Sequence, residues 1–429
     1  MNYEQTLEYL YTRLPMFSRI GEQAIKKDLT NTRELCRLLG DPQERFKSVH
    51  IAGTNGKGSV SHMLAAICQT AGYRTGLYTS PHLRDFRERI RVNGEMIPRQ
   101  EVVRFTARMT EAMERINPSF FELTVAMAFD HFAASQVDIA IIETGLGGRL
   151  DSTNIVTPDL SVITNIGWDH MNLLGDTLEQ IAFEKAGIIK PGVPVVVGEI
   201  LDETGPVFRD VAARLQADLS VASQRWQAAD WYWDHHQLVV QVQETHHTDR
   251  QEYRLDLPGI YQVRNLLTVL ESLARLRQKG WNLPDQAVRH GLMHTRRLTG
   301  LHGRWEVIAQ EPLIVLDVAH NPDGIRQLTR QVELTAHTRL HIVLGMVKDK
   351  EIDAVLALLP AQADYYFTQA RIPRALPAEA LQQRGEAAGL QGSVYPDVNA
   401  ALAAARQRAG RGDLILVCGS VFLVGEVTS

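Results

Sequence analysis

From Val49 onward, short apolar runs alternate with longer stretches whose apolar residues recur at helical spacing. The runs predict strands at Arg74 to Thr79, Asp138 to Glu143, Leu160 to Ile163 and Val193 to Val197, with helices between them. Strands that are apolar throughout and separated by helices imply a parallel α/β sheet covered on both faces. Near Trp231 the pattern changes to alternating residues over Gln237 to Gln243, which predicts an antiparallel excursion at the edge of that sheet. Helical spacing returns over Gln262 to Lys279 and Leu283 to Met293. The charged, glycine-containing stretch Arg296 to Arg304 reads as a linker. A second alternation follows, with strands at Trp305 to Ala309, Leu313 to Leu316, Leu340 to Leu344, Ala363 to Thr368 and Leu414 to Val417. The expected architecture is α/β: an N-terminal, mostly parallel sheet domain of the phosphate-loop type over residues 1–297, and a smaller Rossmann-like α/β domain over 298–429. Ligands are expected in the cleft such a pair would form.

Composition adds limits. The 429 residues carry 45 basic and 50 acidic side chains, a formal net charge of −5. A balance so mixed argues against a nucleic acid or a membrane surface as the main partner. The three cysteines, Cys36, Cys68 and Cys418, are odd in number and far apart, which suggests neither a disulfide framework nor a zinc site and fits a reducing cytoplasm. The N-terminal residues predict an amphipathic helix with acidic positions rather than a basic, apolar leader, and no run approaches membrane-spanning length. His246 and His247 would point to opposite faces of a strand, so they are expected in solvent rather than paired on a metal.

The densest chemistry lies at Gly53-Thr54-Asn55-Gly56-Lys57-Gly58-Ser59, between an apolar strand and an apolar helix. Glycines let the backbone turn tightly and aim N–H groups at one anion, the helix start adds partial positive charge, and Lys57 adds a full one. ATP or GTP is the implied ligand. The spacing departs from G-x-x-x-x-G-K-[ST]: two residues separate Gly53 from Gly56, and Gly58 intervenes before Ser59. Phosphoryl transfer needs magnesium, whose hard oxygen ligands belong at strand ends near such a loop. Glu143 meets that description. His170 ends a comparable segment and would sit beside Glu143 if their strands are neighbours. Lys185 has two readings: a lysine favoured by the dipole at a helix C-terminus, or a desolvated amine that takes up carbon dioxide as a carbamate. Asp317 and His320 end a buried strand of the second domain, Asn321 is placed to cap the next helix, and Arg304 could reach a phosphate or remain solvated.

Six motifs occur in order: the loop at Gly53 to Ser59, Thr79-Ser80-Pro81-His82-Leu83, Gly147 to Asn154, Asp169-His170, Glu184-Lys185-Ala186-Gly187 and Asp317-Val318-Ala319-His320-Asn321-Pro322. Together they resemble the folylpolyglutamate synthase and dihydrofolate synthase family of the Mur ligase superfamily, from about residue 40 to the C-terminus. The resemblance implies an ATP-dependent amide ligase. It would add L-glutamate to a reduced folate, to dihydropteroate, or to both, through an acyl phosphate. It further implies ATP as co-substrate, two magnesium sites, a monovalent cation as a further candidate, and a cytoplasmic monomer. Carried over by motif, Lys57, Lys185 and His320 are catalytic. Gly53, Thr54, Asn55, Gly56, Lys57, Gly58, Ser59, Asn265, Arg304 and Asp317 meet ATP. Ser80 and Glu143 hold the magnesium on the phosphates, and His170 and carbamylated Lys185 hold the second. The pteroyl group would lie near Phe120, Phe121 and Glu122 and near Leu150, Asp151 and Ser152. The family often has a tyrosine in the first of these stretches, where this chain has phenylalanine. A cell-wall ligase acting on a UDP-sugar is disfavoured by the short run before Gly53. An NTP-hydrolysing switch would leave the Asp317 motif without a role.

Overall fold

The computed structural model describes residues 1–24, 26, 28–348 and 350–428. The chain folds into two compact units. The first comprises Met1–Gly167, Met171–Asp256 and Gln262–Leu301; the second comprises His302–Ser429 together with the short stretches Trp168–His170 and Leu257–Tyr261.

The first unit is built on an eight-stranded sheet of β1 (Lys47–Ala52), β2 (Thr75–Tyr78), β3 (Ile90–Val92), β4 (Glu95–Met96), β5 (Ile139–Glu143), β6 (Leu160–Ile163), β7 (Val195–Val197) and β8 (Leu219–Val221). Its order is β4-β3-β2-β5-β1-β6-β7-β8, parallel except for the β3–β4 edge. The central strands are buried along their length, which is why they read as unbroken apolar runs. The helices Arg99–Ile116 and Phe120–Ala134 contribute much of the core on one side. Ser119 caps the second of them: its hydroxyl accepts from Glu122 N–H at 3.2 Å, and the Glu122 carboxylate accepts from Ser119 N–H at 2.6 Å.

The alternating segment does not extend this sheet. It forms its own three-stranded antiparallel sheet of β9 (Trp226–Asp234), β10 (Gln237–Glu244) and β11 (Gln251–Leu255) in the order β11-β10-β9. Alternation reports one buried face, and that face is supplied within the excursion and by the helices packed on it, not by the parallel sheet. His246 and His247 are exposed. The stretch expected as a linker begins as a helix, Thr295–Thr299, ended by Gly300 at φ +68°.

The second unit is a six-stranded sheet of β12 (Glu306–Gln310), β13 (Leu313–Leu316), β14 (Leu340–Leu344), β15 (Asp364–Phe367), β16 (Gly392–Val394) and β17 (Leu414–Cys418), ordered β12-β13-β17-β14-β15-β16. Only β12 runs antiparallel to its neighbour. Among the described residues, no helix is long and apolar enough to cross a membrane.

Candidate active site

In the first unit, β1 lies between β5 and β6, so the chain leaves it at the point where strand order reverses. Such a switch point opens a crevice at the strand ends. Gly53 to Gly56 fill this position, and the helix Lys57–Thr70 starts from them. Gly56, the N-cap, has φ +85° and no side-chain cap, so the N–H groups of the first turn remain for a ligand. The end of β6 holds the loop in shape. Thr164 Oγ1 donates to the Asn55 carbonyl at 2.6 Å, Asn55 N–H donates to Asn165 Oδ1 at 2.9 Å, and Thr54 N–H donates to the Asn165 carbonyl at 3.0 Å. A Cβ on Gly53 would lie 1.9 Å from Thr164 Oγ1, and one on Gly56 would lie 2.3 Å from Asn265 Oδ1. Both glycines are thus required by contact as well as by conformation.

Asn265 braces the loop from the helix Gln262–Gln278. Its amide donates to Gln262 Oε1 at 2.7 Å, and Gln262 donates to the Ser59 hydroxyl at 3.1 Å. Lys57 bends back over the loop, with Nζ 3.0 Å from the Gly53 carbonyl and 3.3 Å from that of Thr54. Lys185, in the helix Leu178–Ala186, is 4% exposed and also donates to the Gly53 carbonyl, at 3.0 Å. Two lysine amines therefore converge on one peptide group.

Glu143 ends β5 and is buried; its Oε2 accepts from Ser80 N–H at 3.2 Å, which brings the ends of β2 and β5 together. The strands carrying Glu143 and leading to His170 are not neighbours, because β1 pairs with both β5 and β6. The parallel crossovers place β1 centrally, and linear spacing does not reveal this. Ser80 and Glu143 offer hard oxygen donors, which suits magnesium. Among the described residues, no group of three or more His, Cys, Asp or Glu side chains could hold a metal by itself.

Asp151 is buried beneath the loop that follows Glu143. Its Oδ2 accepts from Gly145 and Leu146 N–H, both at 2.8 Å, and its Oδ1 accepts from the Thr153 hydroxyl at 2.6 Å. Burial pushes its carboxyl above the usual range, against the pull of these hydrogen bonds. Since the Thr153 proton goes to Asp151, Thr153 accepts from His50 Nε2 at 2.8 Å. Burial holds His50 down to about 3, so it is neutral, and its Nδ1 has no hydrogen-bond partner. Sequence reasoning missed this relay from β1 to the glycine loop; His50 reads there as one more strand position. Phe120 and Glu122 are buried at the start of their helix, Phe121 is half-buried, Ser152 is buried and Leu150 is half-buried.

The second unit carries the remaining residues, of which Asp317, His320 and Asn321 follow β13. Asp317 follows β13 and is buried; it accepts from the Tyr261 hydroxyl at 2.6 Å and from Trp305 and Ala319 N–H, both at 2.9 Å. Burial raises its carboxyl, while these donors and the Arg304 charge oppose the rise. Asn321 caps the helix Pro322–Glu333 by accepting from Gly324 N–H at 2.8 Å, and its amide donates to Asp169 at 3.1 Å. His320 faces Asp169 through Nε2 at 3.5 Å and donates from Nδ1 to the Val318 carbonyl at 2.9 Å. Lys350 forms an ion pair with Asp169 and lies 3.2 Å from His170 Nε2. Burial alone would raise Asp169, but the His320 hydrogen bond and the charges of Lys350, His170 and His320 hold it well below the carboxylate range. Lys350 and Tyr261 were missed from the sequence. The signal for Lys350 is its place in the loop that follows β14, further from its strand than Asp317 is from β13.

Two family models match: the Mur ligase middle domain over residues 51–273 and the Mur ligase glutamate ligase domain over 303–421. A relative, dihydrofolate synthase/folylpolyglutamate synthase of Bacillus subtilis (strain 168), is 34% identical over 94% of each chain. The chain belongs to the folylpolyglutamate synthase/dihydrofolate synthase family. The structure of E. coli FolC in complex with DHPP and ADP superposes with a TM-score of 0.84 at 32% identity, covering 99% of this chain and 96% of that one. The Yersinia pestis bifunctional folylpolyglutamate synthase/dihydrofolate synthase complexed with AMPPNP and Mn ion gives 0.83 at 31% identity, covering 99% and 97%. These neighbours share the mixed α/β architecture of a large, mostly parallel sheet and a second sheet domain.

Proposed function

We propose that this protein is an ATP-dependent ligase that joins L-glutamate in amide linkage to a reduced folate and to dihydropteroate. The observation that carries this reading is the loop Gly53 to Ser59. It has an uncapped helix start, glycines that contact forbids replacing, and Lys57 folded over it, in a chain of this family. Residues 1–297 would bind ATP and the acceptor, and residues 298–429 would serve as the glutamate ligase domain. The protein works as a cytoplasmic monomer; its three cysteines are buried free thiols, as a reducing compartment allows.

The loop N–H groups and Lys57 grip the triphosphate, with Asn265 steadying the turn; Arg304 and Asp317 are proposed as further nucleotide contacts. The acceptor carboxylate attacks the terminal phosphorus, giving an acyl phosphate and ADP. The glutamate amine then adds to the acyl carbon and expels phosphate through a tetrahedral intermediate. Lys57 offsets charge on the transferred oxygens without reorganisation. Ser80 and Glu143 would hold magnesium on the phosphates; His170 and a carbamate on Lys185 would hold a second. When bound, these cations neutralise phosphate charge. Phe120 and Phe121 supply an aromatic surface for the pteroyl ring, and Asp151 shapes the loop beside it. His320 is placed to move a proton. The test is ADP release: it should require acceptor and glutamate together, and release indifferent to both would favour a switch protein.

A further inference from the structure

One buried charge in the first unit has no part in the machinery above. Arg89 ends the turn Phe86–Arg89 and leads into β3, and its carbonyl accepts from Thr79 N–H at 3.1 Å, beside Ser80. The residue is 8% exposed. Its guanidinium lies 5.5 Å from the centre of the Phe120 ring, and Nε donates to His82 Nδ1 at 2.8 Å. His82 is no counterion, since the ring nitrogen that accepts from the guanidinium carries no proton. The groups facing the guanidinium are the phenols of Tyr78 and Tyr11, with Glu88 contributing less. The Glu88 carboxylate is taken up by the N–H groups of Leu83, Arg84 and Asp85. Among the described residues, no carboxylate oxygen lies within 4.0 Å of the Arg89 guanidinium. Arg87, two positions away, by contrast pairs with Asp85 at 2.7 Å.

A buried guanidinium with no carboxylate partner is expensive, and packing alone would be served better by an apolar side chain. Its surroundings point to a flat ligand with an oxygen acceptor. Phe120 packs against Phe86 at 5.8 Å and Tyr11 at 5.6 Å, and Phe121 lies 6.2 Å from Tyr78. A guanidinium over an aromatic wall can stack while its in-plane N–H groups meet a carbonyl. We propose that Arg89 is a specificity-determining residue of the acceptor site, donating hydrogen bonds to the ring carbonyl of the pteroyl group. The assignment rests on the function proposed above.

The experiment compares wild type, Arg89→Met and Arg89→Lys in three measurements. These are calorimetric binding of pteroate without ATP, the kinetics of dihydropteroate, tetrahydrofolate and its diglutamate, and thermal unfolding. In Arg89→Met, pteroate binding should weaken by about tenfold or more, the loss expected for a charged hydrogen bond. KM should rise by the same factor for all three acceptors, KM for ATP should not change, and the melting point should hold or rise. Arg89→Lys should recover part of the binding. Unchanged binding in Arg89→Met, or a lower melting point with unchanged KM, would overturn the assignment and leave the ligase reading intact. Loss confined to the glutamylated acceptors would also overturn it, by placing the cation on the tail carboxylates. A wild type that binds no pteroyl compound would sink the ligase reading and this assignment together.

Discussion

Lys185 and Lys57 both donate to the Gly53 carbonyl, yet they should differ in what they contribute. Lys57 is the proposed phosphate ligand, whereas buried Lys185 is the candidate carbamate. Lys185→Ala is expected to lower turnover by on the order of 100-fold, with partial recovery in acetate or formate, which can supply the missing carboxylate. Unimpaired turnover would remove Lys185 from the site. His50 offers a test in the folded state alone. Its folded pKa lies near 3, below its ordinary 6.5, so the unfolded chain takes up a proton that the fold refuses. Stability is therefore complete above about 6.5 and falls as pH drops toward 3, by at most about 1.4 kcal/mol per pH unit for one proton. His82 adds to the same slope. Urea unfolding across that window should show a shallower decline in His50→Leu; parallel curves would mean that the histidine is not held neutral. The identities of the loop residues, Glu143 and Asp317 were legible in the sequence because each follows an apolar run. His50, Tyr261 and Lys350 were not, since their partners Thr153, Asp317 and Asp169 lie far off in the chain.

Elements were legible where one force dominates. β6, β13 and β14 match the apolar runs to the residue, because strands buried on both faces admit little else. The β3–β4 hairpin and β16 escaped notice: all are very short, and β4 and β16 are partly exposed edge strands without a distinctive pattern. Strand adjacency was illegible too, since nothing in spacing tells that β1 separates β5 from β6. The helix Phe120–Ala134 shows an element whose start bears on the site. Ser119→Ala removes one half of its capping box and should cost about 1 kcal/mol, read as a lower urea midpoint. KM for ATP should not change, because the phosphate loop belongs to another helix. A shift in KM for ATP without loss of stability would contradict that separation.

At the scale of the whole molecule, the two alternations in the sequence correspond to two sheets, but the division is not a single cut. Trp168–His170 and Leu257–Tyr261 belong with the second unit, and a periodicity argument cannot assign so few residues against their flanks. The consequence is chemical. Asp169 and His170, which the sequence places beside the first sheet, make their contacts with Lys350, His320 and Asn321. The most direct measurement uses dihydropteroate labelled with heavy oxygen in its carboxylate, supplied with ATP, magnesium and L-glutamate. Mass analysis should find one labelled oxygen in the inorganic phosphate for each glutamyl product formed, the mark of an acyl phosphate. Unlabelled phosphate released alongside unmodified acceptor would contradict the ligase.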